Sequence, residues 1–393
     1  MKASEILKPT FWKVVSVIIV TMGLFSTYFR FSRGLGATTN LHDTVPWGLW
    51  IGFDFLGVGL AAAGFTIAAT VHIFHIHKFE PLVRPAILTA FLGYSVVVCL
   101  LVVDLGRPEN FWHPLVMWNI HSVMFEITWC LICYTTVLML EFAPVVLEKF
   151  NFKAPIKILK MISIPIVIAG VLFSTLHQSS FGSLYLIVPG KLHPLWYSSL
   201  LPVHFYISCI AAGLSMIIFE SFLIARSFTK EDGFYNTGLQ MDVLSGAAFA
   251  VLIALIAGFL LKIYDFVENG KLIYLTIFST ETYLFDLEII LGTILPIYVL
   301  SFRKFREDKK WLYIISIFVI SGLILNRLNV SITGLAASSG VNYFPSFDEI
   351  SITMMLVVLA LFAFRLIAKY FPLFVNEESE DPVNGRVQIN HNY

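Results

Sequence analysis

The run Ser174 to Leu184, "STLHQSSFGSL", places imidazole, amide and hydroxyl groups directly after a segment of almost unbroken hydrocarbon. The imidazole belongs to His177, and histidine side chains exchange protons near neutral pH. The run therefore predicts a cluster of hydrogen-bond and proton donors. The alternative is a polar cap, in which Ser and Gly residues satisfy the backbone groups of a helix that ends at the edge of a membrane.

Five further ionisable side chains lie inside apolar segments, where each costs several kcal/mol unless it is paired or hydrated. Asp54 lies in the outer third of the second segment, and Glu126 about a turn and a half inside the outer end of the fourth. Tyr94 lies near the middle of the third, whereas Glu141 and Glu220 lie near inner ends. Acids at both depths with a tyrosine between them predict a proton relay. Simple contact with the inner interface remains the alternative for Glu141 and Glu220.

The positions of the cysteine and histidine residues offer few ligands for a metal ion or a haem. All four cysteines fall inside apolar segments, and Cys130 and Cys133 form a lone pair, which is typical of packing. His177 and His204 would allow a single outer haem, but no histidine pair occurs at mid-depth, so we expect no haem and no metal in this chain. On the eighth and ninth segments, Glu288 and Asp286 are expected to pair with Arg327.

The elements that must position these groups are membrane helices. Hydrophobic residues make up 58% of the 393 and charged residues only 13%, which places the chain in a bilayer. Apolar runs long enough to cross roughly 30 Å of hydrocarbon recur ten times. The sequence therefore predicts an all-α integral membrane protein with about ten spans, near 11–29, 47–71, 85–103, 120–141, 158–177, 199–225, 241–262, 282–302, 311–327 and 350–370.

The distribution of basic residues predicts the orientation. With ten spans, most of the 26 Lys and Arg residues fall on the side that holds both termini, which is therefore the cytoplasmic side. We expect a cytoplasmic N-terminus over 1–10, a membrane domain over 11–372 and a flexible cytoplasmic tail over 373–393. The opposite loops are poor in charge and rich in aromatic residues, which is typical either of an interfacial belt or of a docking surface for another subunit.

A weak internal echo suggests a repeat. The sequence "AAAGF" from Ala61 resembles "AAGLS" from Ala211, and "MFEITW" from Met124 resembles "LFDLEI" from Leu284. The two offsets are similar and would give copies of the same orientation. We therefore predict possible repeat units over 47–177 and 199–327, hence two four-helix bundles with flanking helices.

Several longer motifs carry a resemblance. The sequence is similar to the NrfD/polysulfide-reductase family of membrane subunits, and within it to the members that serve periplasmic nickel-iron hydrogenases, across roughly residues 11–372. The motifs that carry it are "PWGLWIGFD" (Pro46 to Asp54), "PLVRPA" (Pro81 to Ala86), "DLGRPENFW" (Asp104 to Trp112), "NIHSVMFE" (Asn119 to Glu126), "LEFAP" (Leu140 to Pro144), "LHQSSFGSL" (Leu176 to Leu184) and "KLHPLW" (Lys191 to Trp196).

This resemblance implies a haem-free subunit of the bacterial inner membrane that exchanges electrons between menaquinone and a periplasmic, ferredoxin-like iron–sulfur subunit. Through that subunit it would serve the large and small subunits of a nickel-iron hydrogenase. The quinone would bind near the periplasmic face, held by His177, Gln178 and Ser180 with Asp54 opposite. The relay of Glu126, Tyr94, Glu141 and Glu220 would carry protons and permit proton translocation. Membrane lipid is an expected partner, whereas nucleic acid is not.

Three other functions stay open on the sequence. The chain could serve a polysulfide, sulfur or other molybdenum oxidoreductase, since related membrane subunits do so. It could be a passive anchor, which the aromatic outer loops would also suit. It could be a secondary transporter, although no pair of Gly/Pro-broken helices with buried ion ligands occurs at corresponding positions of the two halves.

Overall fold

The computed structural model describes residues 11–188, 190–227, 240–341, 343–371 and 373. Ten of its helices are long and apolar enough to cross a membrane, which confirms the predicted fold class. In chain order they are α1 Phe11–Arg33, α2 Leu49–His72, α3 Val83–Asp104, α4 Val123–Lys149, α5 Ser163–Leu186, α6 Leu201–Ser227, α7 Met241–Glu268, α8 Thr280–Ser301, α9 Lys309–Ala336 and α10 Phe347–Tyr370. The predicted N-terminal segment and nearly all of the predicted tail lie outside the described residues.

Shorter helical segments connect the spans. The helix Leu35–Thr38 follows α1, the 3₁₀ turn His77–Leu82 leads into α3, and the amphipathic helix Lys153–Met161 precedes α5. Within the described residues, pairing between extended segments is confined to an isolated bridge between His42 and Val45. The backbone groups are thus satisfied inside helices, as a hydrocarbon environment requires.

Eight of the ten helices form two closed bundles of four. In the first, α2 packs on α3, α3 on α4, α4 on α5 and α5 back on α2; in the second, α6 to α9 close in the same order. The bundles meet where α6 lies against α2 and α5, while α1 and α10 pair with each other beside α3. This arrangement agrees with the predicted pair of four-helix bundles and flanking helices. The descent of the two bundles from one repeated unit remains a prediction.

Small residues bring the bundles together. A Cβ added at Gly213 of α6 would collide with the backbone of Ala62 and Ala63 in α2, and one added at Gly59 would meet Leu323 and Cys209. Close approach of backbones through small residues is the usual way in which membrane helices associate. The two copies of the "AAAGF" echo therefore contact each other across this interface.

Several helix ends extend beyond the sequence prediction, among them those of α4, α5 and α9, the last of which continues to Ala336. α4 continues to Lys149, and α5 runs from Ser163 to Leu186, so the "STLHQSSFGSL" run lies within α5 and does not end it. The prediction of a helix end was wrong because hydroxyl side chains inside a helix can bond to the carbonyl four residues earlier. Ser180 donates to the Leu176 carbonyl at 2.7 Å, and Ser183 to that of Ser179 at 3.2 Å.

Candidate functional site

His177 occupies the interior of the first bundle. Its side chain is fully buried, and its Nδ1 lies 3.2 Å from the hydroxyl of Tyr94 on α3. The imidazole also packs on Phe181, with ring centroids 4.6 Å apart. The other ring nitrogen, Nε2, is buried without a hydrogen-bond partner. A buried polar atom without a partner is costly, so this nitrogen is equipped to bind a ligand.

Two residues that the sequence reasoning missed complete the cluster. Tyr134 of α4 lies edge-on to Tyr94, with centroids 4.6 Å apart, and Ser174 of α5 lies beside both tyrosines. The hydroxyls of Tyr134 and Ser174 are buried and unpartnered. Helical periodicity offered a signal for Tyr134, because it precedes Glu141 by seven residues and so shares its face of α4.

Gln178 holds three helices together. Its Nε2 donates to the Val58 carbonyl of α2 at 2.7 Å, and its Oε1 accepts from the Cys209 thiol of α6 at 2.6 Å. Cys209 in turn accepts from Arg327 of α9 at 3.2 Å. Gln178 therefore uses its amide nitrogen and oxygen in hydrogen bonds within the protein, and it joins the two bundles beside His177.

Asp54 lies on a different face of α2 from Phe55, which packs on the helix of His177. Phe55, the next residue, packs against Phe181 with centroids 4.6 Å apart, and successive residues of a helix are turned by roughly 100°. Asp54 is buried, its Oδ1 has no hydrogen-bond partner, and its nearest charged influence is Asp104. Among the described residues, no hydrogen bond or ion pair joins Asp54 to His177, so the structure does not bring together this expected pair.

The outer acid Glu126 is more exposed than the sequence suggested. α4 begins at Val123, so Glu126 lies in the first helical turn, and its side chain is exposed. It accepts from the Ser180 hydroxyl at 2.7 Å. A carboxylate in this position is stabilised by the helix dipole, which weakens the argument that Glu126 is deeply buried.

The inner acids occupy two different interfaces. Glu141 follows Tyr134 by about 10 Å along α4, and its carboxyl lies against Gly170 of α5. Glu220 of α6 is buried and accepts from the Thr89 hydroxyl of α3 at 2.7 Å. The structure thus aligns Glu141 with the His177 cluster and places Glu220 on the α3–α6 interface.

The expected pairing of Arg327 with the acids of α8 is wrong. Asp286 is exposed, and Glu288 lies 3.5 Å from Lys262 of α7 instead. Arg327 donates to neutral groups, among them the Asn326 amide oxygen at 2.5 Å and the Ser208 hydroxyl at 2.8 Å. The guanidinium also stacks on Phe205, 3.7 Å from the ring centroid, where the negative face of the ring attracts its charge.

Metal binding has no support in this arrangement. Across 11–188, 190–227, 240–341, 343–371 and 373, no group of three or more His, Cys, Asp or Glu side chains gathers closely enough to hold an ion. The nitrogen and hydroxyls around His177 that have no hydrogen-bond partner are hydrogen-bonding groups of the kind that bind carbonyl oxygens. The fold and this cluster define a polytopic helical membrane protein with a buried polar cluster in its first bundle.

Comparison with known proteins places the chain within this class. The family described as polysulphide reductase, NrfD, matches residues 37–338, and the chain belongs to that family. The resemblance of the sequence motifs is thereby confirmed.

Three relatives cover nearly the whole chain. A protein of Nitratidesulfovibrio vulgaris is 38% identical over 367 residues, which span 92% of this chain and 93% of the relative. The "Probable Ni/Fe-hydrogenase 2 b-type cytochrome subunit" of Escherichia coli K12 is 32% identical over 355 residues, 88% of this chain and 87% of the relative. The "Menaquinone reductase, integral membrane subunit" of N. vulgaris is 25% identical over 390 residues, 93% and 92% of the two chains.

Proposed function

We propose that this chain is the quinone-reactive membrane subunit of a hydrogenase-type oxidoreductase complex and passes electrons from a docked iron–sulfur subunit to menaquinone. The observation that carries the proposal is the buried His177 imidazole, whose Nε2 has no partner. The names of the E. coli and N. vulgaris relatives support the hydrogenase and menaquinone parts of the proposal.

His177 would bind one quinone carbonyl. If Tyr94 donates its hydroxyl hydrogen to Nδ1, the neutral imidazole carries its hydrogen on Nε2, which then donates to the ligand. Tyr94 thus orients the ring and selects the tautomer. Gln178 and Ser180 would fix the shape of the quinone site through their hydrogen bonds to the protein. Asp54 would influence the site without a direct hydrogen bond to His177.

Reduction of a quinone to a quinol takes up two electrons and two protons. The proposal takes the electrons from the partner subunit, as the named hydrogenase and menaquinone reductase relatives suggest. Tyr134 and Glu141 form the most direct polar path from His177 toward the inner side. Glu126 with Ser180 would form an outer branch, and Glu220 with Thr89 a second inner branch. Coupled proton translocation would require these branches to be connected by water.

The partner subunit would dock on the aromatic loop between α3 and α4. That loop exposes a run of large apolar side chains, namely Phe111, Trp112, Leu115, Val116, Met117, Trp118 and Ile120. Single aromatic residues are common at a membrane interface, but a contiguous apolar surface of this kind is typical of protein contacts. The proposal places this end of the molecule on the periplasmic side of a bacterial inner membrane, with both termini in the cytoplasm.

The test is His177→Ala in the assembled complex. Loss of one hydrogen bond to the ligand should lower electron transfer to a quinone analogue about tenfold or more, whereas reduction of a soluble dye by the catalytic subunit stays unchanged. His72→Ala, at the exposed end of α2 and away from the proposed docking loop, is the matched control. Asp54→Asn should have a smaller effect because Asp54 does not contact His177.

If His177→Ala reduces the quinone analogue at the parental rate, the quinone site lies elsewhere. Copurification with metal analysis then separates the remaining possibilities. Nickel with iron would indicate a hydrogenase, and molybdenum a polysulfide-reductase type of complex. A quinone-free but intact complex would indicate a passive anchor, and uptake of a solute by the chain alone would indicate a transporter.

A further inference from the structure

A cavity with one polar end lies in the second bundle, apart from the His177 cluster. It has a volume of about 100 Å³ and is bordered by α6, α7, α8 and α9. Three glycines, Gly258, Gly292 and Gly322, contribute to its walls. α8 and α9 each contain a π-helical turn next to it, over Ile290–Ile294 and Asn329–Thr333, a feature that is frequent at functional sites.

At the polar end of the cavity, the Glu288 carboxylate has no unused acceptor position, whereas neighbouring nitrogen atoms have unused hydrogen-bonding capacity. Glu288 accepts from Asn326 at 2.8 Å through Oε1, which also forms an ion pair with the Lys262 ammonium at 3.5 Å, and from Trp196 at 2.9 Å and Asn329 at 3.0 Å through Oε2. Both of its oxygens are therefore saturated.

The unused hydrogen-bonding capacity lies on the neighbouring nitrogens. The ammonium of Lys262 has three hydrogens, of which Glu288 takes one. The Nε2 atom of His204 is buried without a partner. Since Lys262 and Glu288 balance each other in charge, the lining favours a neutral group that accepts hydrogen bonds, such as a carbonyl.

The cavity is reached from the side of the bundle. The backbones of α7 and α8 approach closely only over the inner part of α8, Leu295–Ser301. Their outer halves are bridged by side chains, through the stacked rings of Phe266 and Phe285, 5.4 Å apart, and through Lys262 and Glu288. The residues of α7 and α8 that alternate with the lining residues, Ile256, Leu260, Ile263, Leu287, Ile290 and Ile294, are exposed and apolar. A gap between the outer halves of α7 and α8 would therefore be open to a lipid-soluble molecule in the bilayer.

The volume limits what enters. A cavity of about 150 Å³ is known to accept benzene, so about 100 Å³ accommodates the carbonyl edge of a ring rather than a complete two-ring head group. The remainder of such a molecule would lie in the gap between α7 and α8, against Phe259 and Ile289, which line the cavity.

A chain of hydrogen bonds connects this cavity to the first bundle. Asn326, which binds Glu288, accepts from Arg327. Arg327 donates to Cys209, and Cys209 donates to Gln178, the neighbour of His177 in the sequence. A ligand that repositions Asn326 would therefore change the contacts of Gln178.

We propose that the cavity between α6 and α9 is a second binding site for the carbonyl edge of a lipid-soluble quinone, with His204 and Lys262 as the donors. This inference rests on the proposed quinone chemistry of the chain. It adds a site in the other bundle, coupled to the first through Arg327 and Cys209.

The first measurement is photolabelling of the purified complex with an azido-naphthoquinone, followed by peptide mapping. We expect labelled peptides from α7 or α8, near Phe259 or Ile289, in addition to peptides from α5. This experiment uses the unmodified protein, so it does not depend on the folding of any variant. Label confined to the first bundle, or a phospholipid retained in the cleft in native mass spectra, would overturn the inference.

The second measurement counts quinone bound per chain in matched glycine variants. A side chain at Gly258 enters the cavity, where its Cβ would lie 3.3 Å from Ile207. Gly246 of the same helix is equally crowded, with its Cβ 3.2 Å from Phe79, but lies outside the cavity. Gly258→Leu should lower the bound quinone from two to one per chain, whereas Gly246→Leu should leave it at two.

The outcomes separate the two proposals. A single quinone that is lost in His177→Ala and retained in Gly258→Leu would reject the second site and leave the proposed function standing. Binding of no quinone at all would reject both. His204→Leu should weaken the second site about tenfold in Kd, because one donor is lost.

Discussion

At the scale of single residues, burial distinguishes the acids that the sequence treated alike. Glu126 is exposed in the first turn of α4 and bound by Ser180, whereas Glu141 lies further along the same helix, on the face that carries Tyr134. A carboxyl that shares a buried face with tyrosine hydroxyls is better placed to pass protons than one that is already in contact with water. The relay proposed for this chain therefore depends more on Glu141 than on Glu126.

We accordingly expect Glu141→Gln to lower quinone-linked turnover about a hundredfold, as loss of a proton-transferring group does, and Glu126→Gln to have a milder effect. The measurement is donor-driven quinone reduction in proteoliposomes with an imposed membrane potential. Glu268→Gln, at the exposed end of α7, serves as a control for the loss of one charge. A Glu141→Gln variant that keeps both its rate and its response to the potential would show that no relay passes through this residue.

At the scale of helices, close approach of backbones determines which side chains meet. Gly213 allows α6 to lie directly on α2, and this contact places Cys209 within reach of Gln178 and Arg327. Polar bonds between helices contribute only about 1 kcal/mol each in membranes, so the fit of small residues decides the rotation of each helix. The polar chain between the bundles is a consequence of that fit.

Gly213→Ala should therefore destabilise the protein by about 1–3 kcal/mol, because the added methyl group has no space against α2. The measurement is the thermal unfolding midpoint of the purified protein in detergent. Gly36→Ala, where an added Cβ meets nothing within 4 Å, is the matched control. Equal midpoints for the two variants would show that the α2–α6 contact relaxes without cost.

At the scale of the whole molecule, the two ends of the helices differ in chemistry. One end carries the exposed aromatic loop after α3, and the other carries basic segments such as Lys153–Met161 and Arg303–Arg306. The loop before α10 is held down by Tyr343, which donates to Glu349; burial and this carboxylate raise the pKa of Tyr343, so its hydroxyl remains protonated. The aromatic loop after α3 and the loop before α10 thus lie at the end opposite the basic segments.

We predict that the whole chain binds no haem. The name of the E. coli relative includes "b-type cytochrome", so this prediction differs from what that name suggests. The outer histidine pair lies in separate clusters, since His177 is bound to Tyr94 while His204 lines a cavity of about 100 Å³ in the other bundle. We expect no Soret band that shifts when the purified subunit is reduced with dithionite. A stoichiometric b-type spectrum would contradict both this geometry and the proposed function.

The amino-acid sequence alone determined the number of membrane helices, the all-α class, the family resemblance and the position of Tyr94 inside a span. These properties are local, because a helix satisfies its own backbone groups and only needs enough apolar length to cross the bilayer. The end of α5 was misjudged for a local reason as well, since hydroxyl side chains that resemble a cap bond back to their own helix.

Only the tertiary structure decided which polar groups are neighbours. Asp54 shares no hydrogen bond with His177, Glu288 pairs with Lys262, and Tyr134 joins the cluster, because the rotation of each helix is set by contacts with helices distant in sequence. A rotation of one residue, roughly 100°, moves a side chain from one interface to another. Composition and spacing do not specify that angle; the packing of glycines such as Gly213 against α2 does.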